Sequence, residues 1–187
     1  MLQHDNQRRL EGFVFLAAFA SCAPLANWLI ENAGRCIPGG PCVVPVAPGL
    51  TAPSGVLVAG AALVLRDLVQ RRLGFGWGAA AIAIGAALSA LFAPPALVLA
   101  SAVAFAVSET ADLLVYTPLQ KKGLVAAAVA SSVVGLVVDS IVFLGLAFGS
   151  LEFLPGQIVG KLWMVAACLP LLRWLRERDQ RLGLAPC

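Results

Sequence analysis

Residues Ser101–Gln120 read SAVAFAVSETADLLVYTPLQ, apolar enough over their first half to sit in lipid, yet Glu109 and Asp112 stand within them. The i, i+3 spacing puts both carboxylates on one side of a helix, close to Ser101, Phe105 and Ser108. The next hydrophobic segment carries Asp139 and the last one carries Lys161. A charge near the bilayer centre costs roughly 2.5–3.5 kcal/mol, so a chain that only had to span would do without such groups. The pattern points to a polytopic helical membrane protein with a polar centre between these helices.

Composition supports that reading. The chain of 187 residues is 60% hydrophobic and 12% charged, with a mean hydropathy of +0.89. A soluble domain of this length cannot hide so much apolar surface, whereas a membrane bundle need not. The net charge of +3 is carried in short basic runs between apolar segments, which is a topology signal and makes nucleic acid a poor partner. The five cysteines have no zinc spacing. Cys36 and Cys42 share one loop, where a bridge and two unpaired thiols are equally open; Cys22 and Cys168 fall in apolar segments and Cys187 ends the chain. Arg8 and Arg9 precede an apolar run in which Phe19-Ala-Ser-Cys22 loosely resembles a lipoprotein cleavage box, but apolar sequence continues to Ile30, which suits a retained helix.

The expected fold is an all-α membrane protein of six transmembrane helices, one polytopic domain over residues 1–187. The helices lie near 13–30, 54–73, 77–92, 96–116, 124–148 and 153–175. Most match a hydrocarbon core about 30 Å thick at 1.5 Å per residue. Residues 31–53, rich in Pro and Gly, are expected to be irregular. With a cytoplasmic N-terminus, Arg8, Arg9, Arg66, Arg71, Arg72, Lys121, Lys122, Arg173, Arg176, Arg178 and Arg181 fall on the cytoplasmic side, and Arg35 alone on the other. That bias fits both termini in the cytoplasm. Trp28, Trp77 and Trp174 fall at helix ends, as interface aromatics should, while Trp163 lies within the last segment. Gly145-x-x-x-Gly149 and Gly156-x-x-x-Gly160 suggest a tight hairpin between the last two helices.

Depth along the helices lets Asp139 and Lys161 meet as an ion pair, each offsetting part of the other's desolvation. That pair is either a device for helix register or part of a binding site. Asp112 and Asp67 are as readily explained by the nearby interface. The candidate substrate-binding residues are Glu109, Asp139, Asp112, Ser108, Phe105, Ser132, Gln157, Lys161 and Trp163, with Ser140 adding a polar atom nearby. With His4 the only histidine and no G-x-S-x-G, no nucleophile or zinc site assembles, so no enzyme, metal or cofactor is expected. No G-x-x-x-x-G-K-[ST] loop occurs either, and any driving energy must come from a gradient, metabolic trapping or another subunit.

Three stretches, SAVAFAVSETADLLVYTPLQKK, SSVVGLVVDSIVFLGLAF and LPGQIVGK, together resemble the queuosine precursor transporter family, also called the vitamin uptake transporter family. The earlier SGVLVAGAALVLRDLVQRRLG resembles that family's second helix and following loop, so the likeness runs from about Ser54 to Lys161. Its more specific parts are Ser108-Glu109-x-x-Asp112 with Tyr116, and Ser132-x-x-Gly135-x-x-x-Asp139-Ser140 with Phe143. The resemblance implies a six-helix protein of the bacterial cytoplasmic (inner) membrane that imports 7-deazaguanine precursors of a modified tRNA base. The family usually has an acidic residue and a Tyr where Arg71 and Leu73 stand here, a departure that bears on substrate or gating more than on fold. A deazaguanine offers adjacent ring N–H and amino donors that one carboxylate, Glu109 or Asp139, accepts side by side. The alternative is a substrate-binding membrane subunit of a multisubunit vitamin importer. Expected partners are a small deazapurine-like substrate and the lipid bilayer, with a second copy or an energising subunit both open.

Overall fold

The computed structural model describes residues 2–183, with side chains from Asn6 onward, so Cys187 and the side chain of His4 lie outside the described residues. The element order is α1 (Leu2–Asn32), β1 (Arg35–Cys36), β2 (Cys42–Ala47), β3 (Leu50–Pro53), α2 (Val56–Leu73), α3 (Phe75–Phe92), α4 (Val98–Leu119), α5 (Leu124–Phe148) and α6 (Leu154–Leu182). Short connections make successive helices run back and forth, so the bundle has two distinct ends. One bears the strands, and is called the sheet end below. The other gathers the basic residues.

Five of the helices are long and apolar enough to cross a membrane, and the chain is an all-α membrane protein in its spanning part. The exception is α2, which holds Arg66, Asp67, Arg71 and Arg72 in its second half. It nevertheless occupies the middle of the bundle and touches each of the other five helices. Arg66 through Arg72 are buried without a break, so two turns of this helix are covered on every side. Lipid contact falls instead to residues such as Leu91, Leu99 and Leu114, which stand exposed on the outside of the bundle. The apolar residues of α2 serve two packing clusters. Leu63, Val64 and Leu68 meet Leu136 of α5 and Leu172 of α6. Ala62 and Val69 meet Phe19 of α1 and Ala81 of α3.

Several helices outrun their apolar segments. Helix α1 begins well before Phe13 and α6 continues past Leu175 to Leu182, because polar turns at both ends are tied by ion pairs rather than by lipid. Residues 31–53 are not irregular. They form a small antiparallel meander in the order β1-β2-β3, with Cys36 opposite Cys42 and the two joined by a disulfide. The Pro-Gly pairs supply the turns, and the β-branched Val43, Val44 and Val46 between them supply the strand.

The glycine pairs do not build the expected α5–α6 hairpin. A side chain at Gly156 would run into the Thr51 carbonyl of β3, and one at Gly160 would stand 2.9 Å from Val56 of α2. Gly145 has nothing within 4 Å. These small residues let α6 approach the sheet and α2, not α5. The same contact is made from the other side by Gly60, where a Cβ would stand 2.8 Å from the Lys161 carbonyl. Gly60→Val is therefore expected to force α2 from α6 at a cost of about 1–3 kcal/mol. Its thermal midpoint in detergent should fall clearly below wild type, while Gly76→Ala, with open space around it, should not move.

Candidate functional site

Arg66 is the centre of the bundle's polar interior. Its Nη2 lies 2.9 Å from Asp67 Oδ1 and 2.6 Å from Asp112 Oδ1, and its Nε donates to Glu109 Oε2 at 3.2 Å. Nη1 donates to Gln70 Oε1 at 3.1 Å, and Gln70 in turn donates to Thr117 Oγ1 at 3.1 Å. Asp67 also accepts from Ser131 Oγ at 2.9 Å. The guanidinium stands over the Tyr116 ring, 5.8 Å from its centroid. Three carboxylates from two helices thus share one guanidinium, whose planar fork of donors can reach several acceptors at once.

Nearer the sheet end lies a cavity of about 580 Å³, its open mouth included. Its walls come from the second half of α1, the first halves of α2, α4 and α6, the far ends of α3 and α5, and Pro53 of β3. The polar lining groups are Asn27, Ser89, Ser101, Asp139 and Gln157, and the rings are Phe105 and Phe143. Ser101 Oγ donates to Asn27 Oδ1 at 3.3 Å. Asp139 is held from behind: Lys161 Nζ lies 2.6 Å from its Oδ2 and donates at 2.7 Å to Ser140 Oγ. Ser108 Oγ donates to Asp139 Oδ1 at 3.4 Å. The Asp139 side chain keeps 19% exposure, against 1% for Lys161, so the carboxylate faces the cavity and the ammonium does not.

The candidate residues therefore separate into layers. Asp139, Phe105 and Gln157 line the cavity, while Ser108 and Lys161 touch Asp139 from outside it. Glu109 and Asp112 are not in the lining but one layer deeper, on Arg66; Glu109 is a turn below Phe105, about 6 Å along the axis. Ser132 is fully buried, its Oγ without a hydrogen-bond partner among the described residues. Trp163 points outward at 60% exposure and donates its indole N–H to the Val46 carbonyl at 3.0 Å, so it clasps the sheet and is absent from the cavity wall. Asp67 is no interfacial group: it is wholly buried beside Arg66. Asn27, Ser89 and Phe143 join the lining without having been singled out as ligands. Each is an ordinary residue within an apolar helix, and only the packing of α1, α3 and α5 brings them together.

The chain matches a family model described as "putative vitamin uptake transporter" over residues 56–175. It belongs to the vitamin uptake transporter family. Among curated proteins and solved structures, none matches the chain. The family match begins at the first residue of α2 and takes in Arg66, Glu109, Asp112, Asp139 and Lys161. It leaves out α1 and the sheet, which close the cavity on one side. Family membership makes this a multi-pass membrane transporter for a small molecule.

At the basic end of this vitamin uptake transporter, Arg71 and Arg72 both bind Asp179 of α6. Arg72 donates to Asp179 Oδ1 at 2.8 Å and pairs with Glu11 Oε2 of α1 at 2.9 Å. Arg71 donates to Asp179 Oδ2 at 2.9 Å. Arg178 closes the ring, 2.6 Å from Glu11 Oε2, with its guanidinium over Trp174. Three helices are strapped together there, and the cavity lies at the other end. Arg71 is part of this strap.

Proposed function

We propose that the protein is a six-span carrier, both termini cytoplasmic, that imports a 7-deazaguanine precursor of queuosine across the bacterial inner membrane, without catalysing a chemical step. The observation that carries this reading is the Asp139 carboxylate at the cavity wall. Lys161 holds it fixed, yet a carboxylate oxygen holding one hydrogen bond still accepts another. A deazaguanine edge with adjacent ring N–H and amino donors matches such a group. Phe105 and Phe143 suit the faces of a flat ring, and Gln157, which makes no side-chain hydrogen bond among the described residues, suits another edge. The basic strap at the opposite end is consistent with a conformation open toward the sheet.

The test is competition uptake of radiolabelled deazaguanines in cells lacking their own importer. Expected is uptake suppressed by excess unlabelled deazaguanine and unaffected by an unrelated vitamin. Uptake of another vitamin with no deazaguanine signal would overturn the substrate. Purified protein in liposomes then separates a self-sufficient carrier from a binding subunit that needs an energising partner, since the second stays silent alone.

A further inference from the structure

The cavity has a second polar wall, made by Asn27 of α1, Ser89 of α3 and Ser101 of α4. Helix α4 sets its position. Ser101, Phe105 and Ser108 follow one another at single-turn spacing on one face, so Ser101 stands about 10 Å from Ser108 along the axis, on the sheet side. Ser108 meets Asp139, Ser101 meets Asn27, and Phe105 lies between the two levels. Helix α3 reaches the upper level as well. A Cβ at Gly85 would run into the Phe105 ring, and Ser89 comes one turn beyond Gly85 toward the sheet end.

Asn27, Ser89 and Ser101 are buried, at 7%, 4% and 8% exposure, yet their hydrogen-bonding capacity is not used up. The Ser89 hydroxyl lines the cavity with no partner among the described residues. Asn27 Nδ2 gives one of its two hydrogens to the Ala23 carbonyl at 2.9 Å, and its Oδ1 takes one 3.3 Å bond from Ser101, so a donor and a lone pair remain. Buried polar groups are normally matched, and those lining a cavity are matched by what enters it. The wall is also uncharged. Helix α3 contains no charged residue, α1 none between Glu11 and Glu31, and α4 none before Glu109. Asp139, the one charged residue of the lining among those described, is committed to Lys161 at the lower level.

We propose that this wall is a second subsite, which selects substrates carrying an uncharged hydrogen-bonding substituent, a hydroxyl or a carbonyl, on the side of the ring away from Asp139. The proposal rests on the deazaguanine reading above. With its ring N–H and amino group on Asp139 and its face on Phe105, a deazaguanine turns its five-membered ring toward the sheet end. A substituent at carbon 7 then reaches Asn27 and Ser89. A hydroxyl there donates and accepts at once. A methyl leaves both protein groups unmatched, and an ammonium or carboxylate is buried beside no counter-ion.

The experiment measures, by calorimetry on detergent-purified full-length protein, the affinities for 7-deazaguanine and its 7-methyl, 7-hydroxymethyl and 7-aminomethyl derivatives. A neutral hydrogen bond is worth roughly two- to tenfold in affinity, so the hydroxymethyl compound is expected to bind on the order of tenfold more tightly than the methyl one. It should also bind more tightly than the aminomethyl cation. Ser89→Ala should shrink the hydroxymethyl-to-methyl ratio by roughly two- to tenfold. Asn27→Asp, which places a carboxylate at the wall, should turn the preference toward the aminomethyl cation. Should that variant fail to fold, Ser89→Ala decides alone, since it removes one oxygen and keeps the bond between Asn27 and Ser101. Gly76→Ala, at the other end of α3, should keep the wild-type ratio. Equal affinities for the hydroxymethyl and methyl compounds in wild type, or a ratio that Ser89→Ala leaves unchanged, would overturn the subsite while deazaguanine binding itself stands. No binding of 7-deazaguanine or any derivative would remove the deazaguanine reading, and the subsite with it.

Discussion

Arg66→Leu is expected to abolish accumulation of folded protein in the membrane. The substitution keeps the apolar stem and removes the one cation that Asp67, Glu109 and Asp112 share. Removing one partner of a buried pair costs about 3–5 kcal/mol, and here three carboxylates lose their partner together. That is a large part of the roughly 5–15 kcal/mol that holds a typical fold together. Arg66→Lys should recover only part of the loss, because a single ammonium cannot bridge Gln70 and three carboxylates spread over α2 and α4. The decisive comparison is a neutral set, Arg66→Leu with Asp67→Asn, Glu109→Gln and Asp112→Asn. If charge balance is what Arg66 contributes, this set should fold better than Arg66→Leu alone, judged by monodisperse elution and thermal midpoint. A single Arg66→Leu variant with an unchanged midpoint would show that the cluster does not hold the bundle together.

The misreading of Arg66 shows where sequence reasoning stops. Arg66, Arg71 and Arg72 look like one basic run, and a basic run at the end of an apolar segment normally marks an interface. Their partners split them: Arg71 and Arg72 turn to Asp179 of α6, while Arg66 turns to Glu109 and Asp112 of α4. Nothing local distinguishes these fates, since they depend on α2 being surrounded by five helices. The pairing of Asp139 with Lys161 was legible because both groups sit at matching depths on neighbouring antiparallel helices. The strands were hidden for the opposite reason, as Pro and Gly dominate the composition of residues 31–53 while marking only their turns. The outward turn of Trp163 depended on the sheet, which offers it the Val46 carbonyl.

Asp139→Asn is expected to reduce substrate binding by on the order of 10²–10⁴-fold, because each hydrogen bond to a charged acceptor contributes about 1.5–3 kcal/mol and two are lost. The single variant is ambiguous by itself. It also leaves the buried Lys161 ammonium with Ser140 as its remaining contact, so lost uptake could reflect a disturbed α5–α6 register. Asp139→Asn with Lys161→Met resolves this. The double variant carries no unpaired buried charge, and Met fills much of the space of the lysine stem. If the pair served only register, the double variant should transport nearly as well as wild type. If Asp139 is the acceptor for the substrate, the double variant should elute and melt like wild type yet remain unable to bind. Glu109→Gln gives the third point: it leaves Arg66 with Asp67 and Asp112 and leaves the cavity wall intact, so it should weaken stability more than affinity. Full affinity in the double variant would remove Asp139 from the binding site, and a large affinity loss in Glu109→Gln would move the site one layer deeper, onto Arg66.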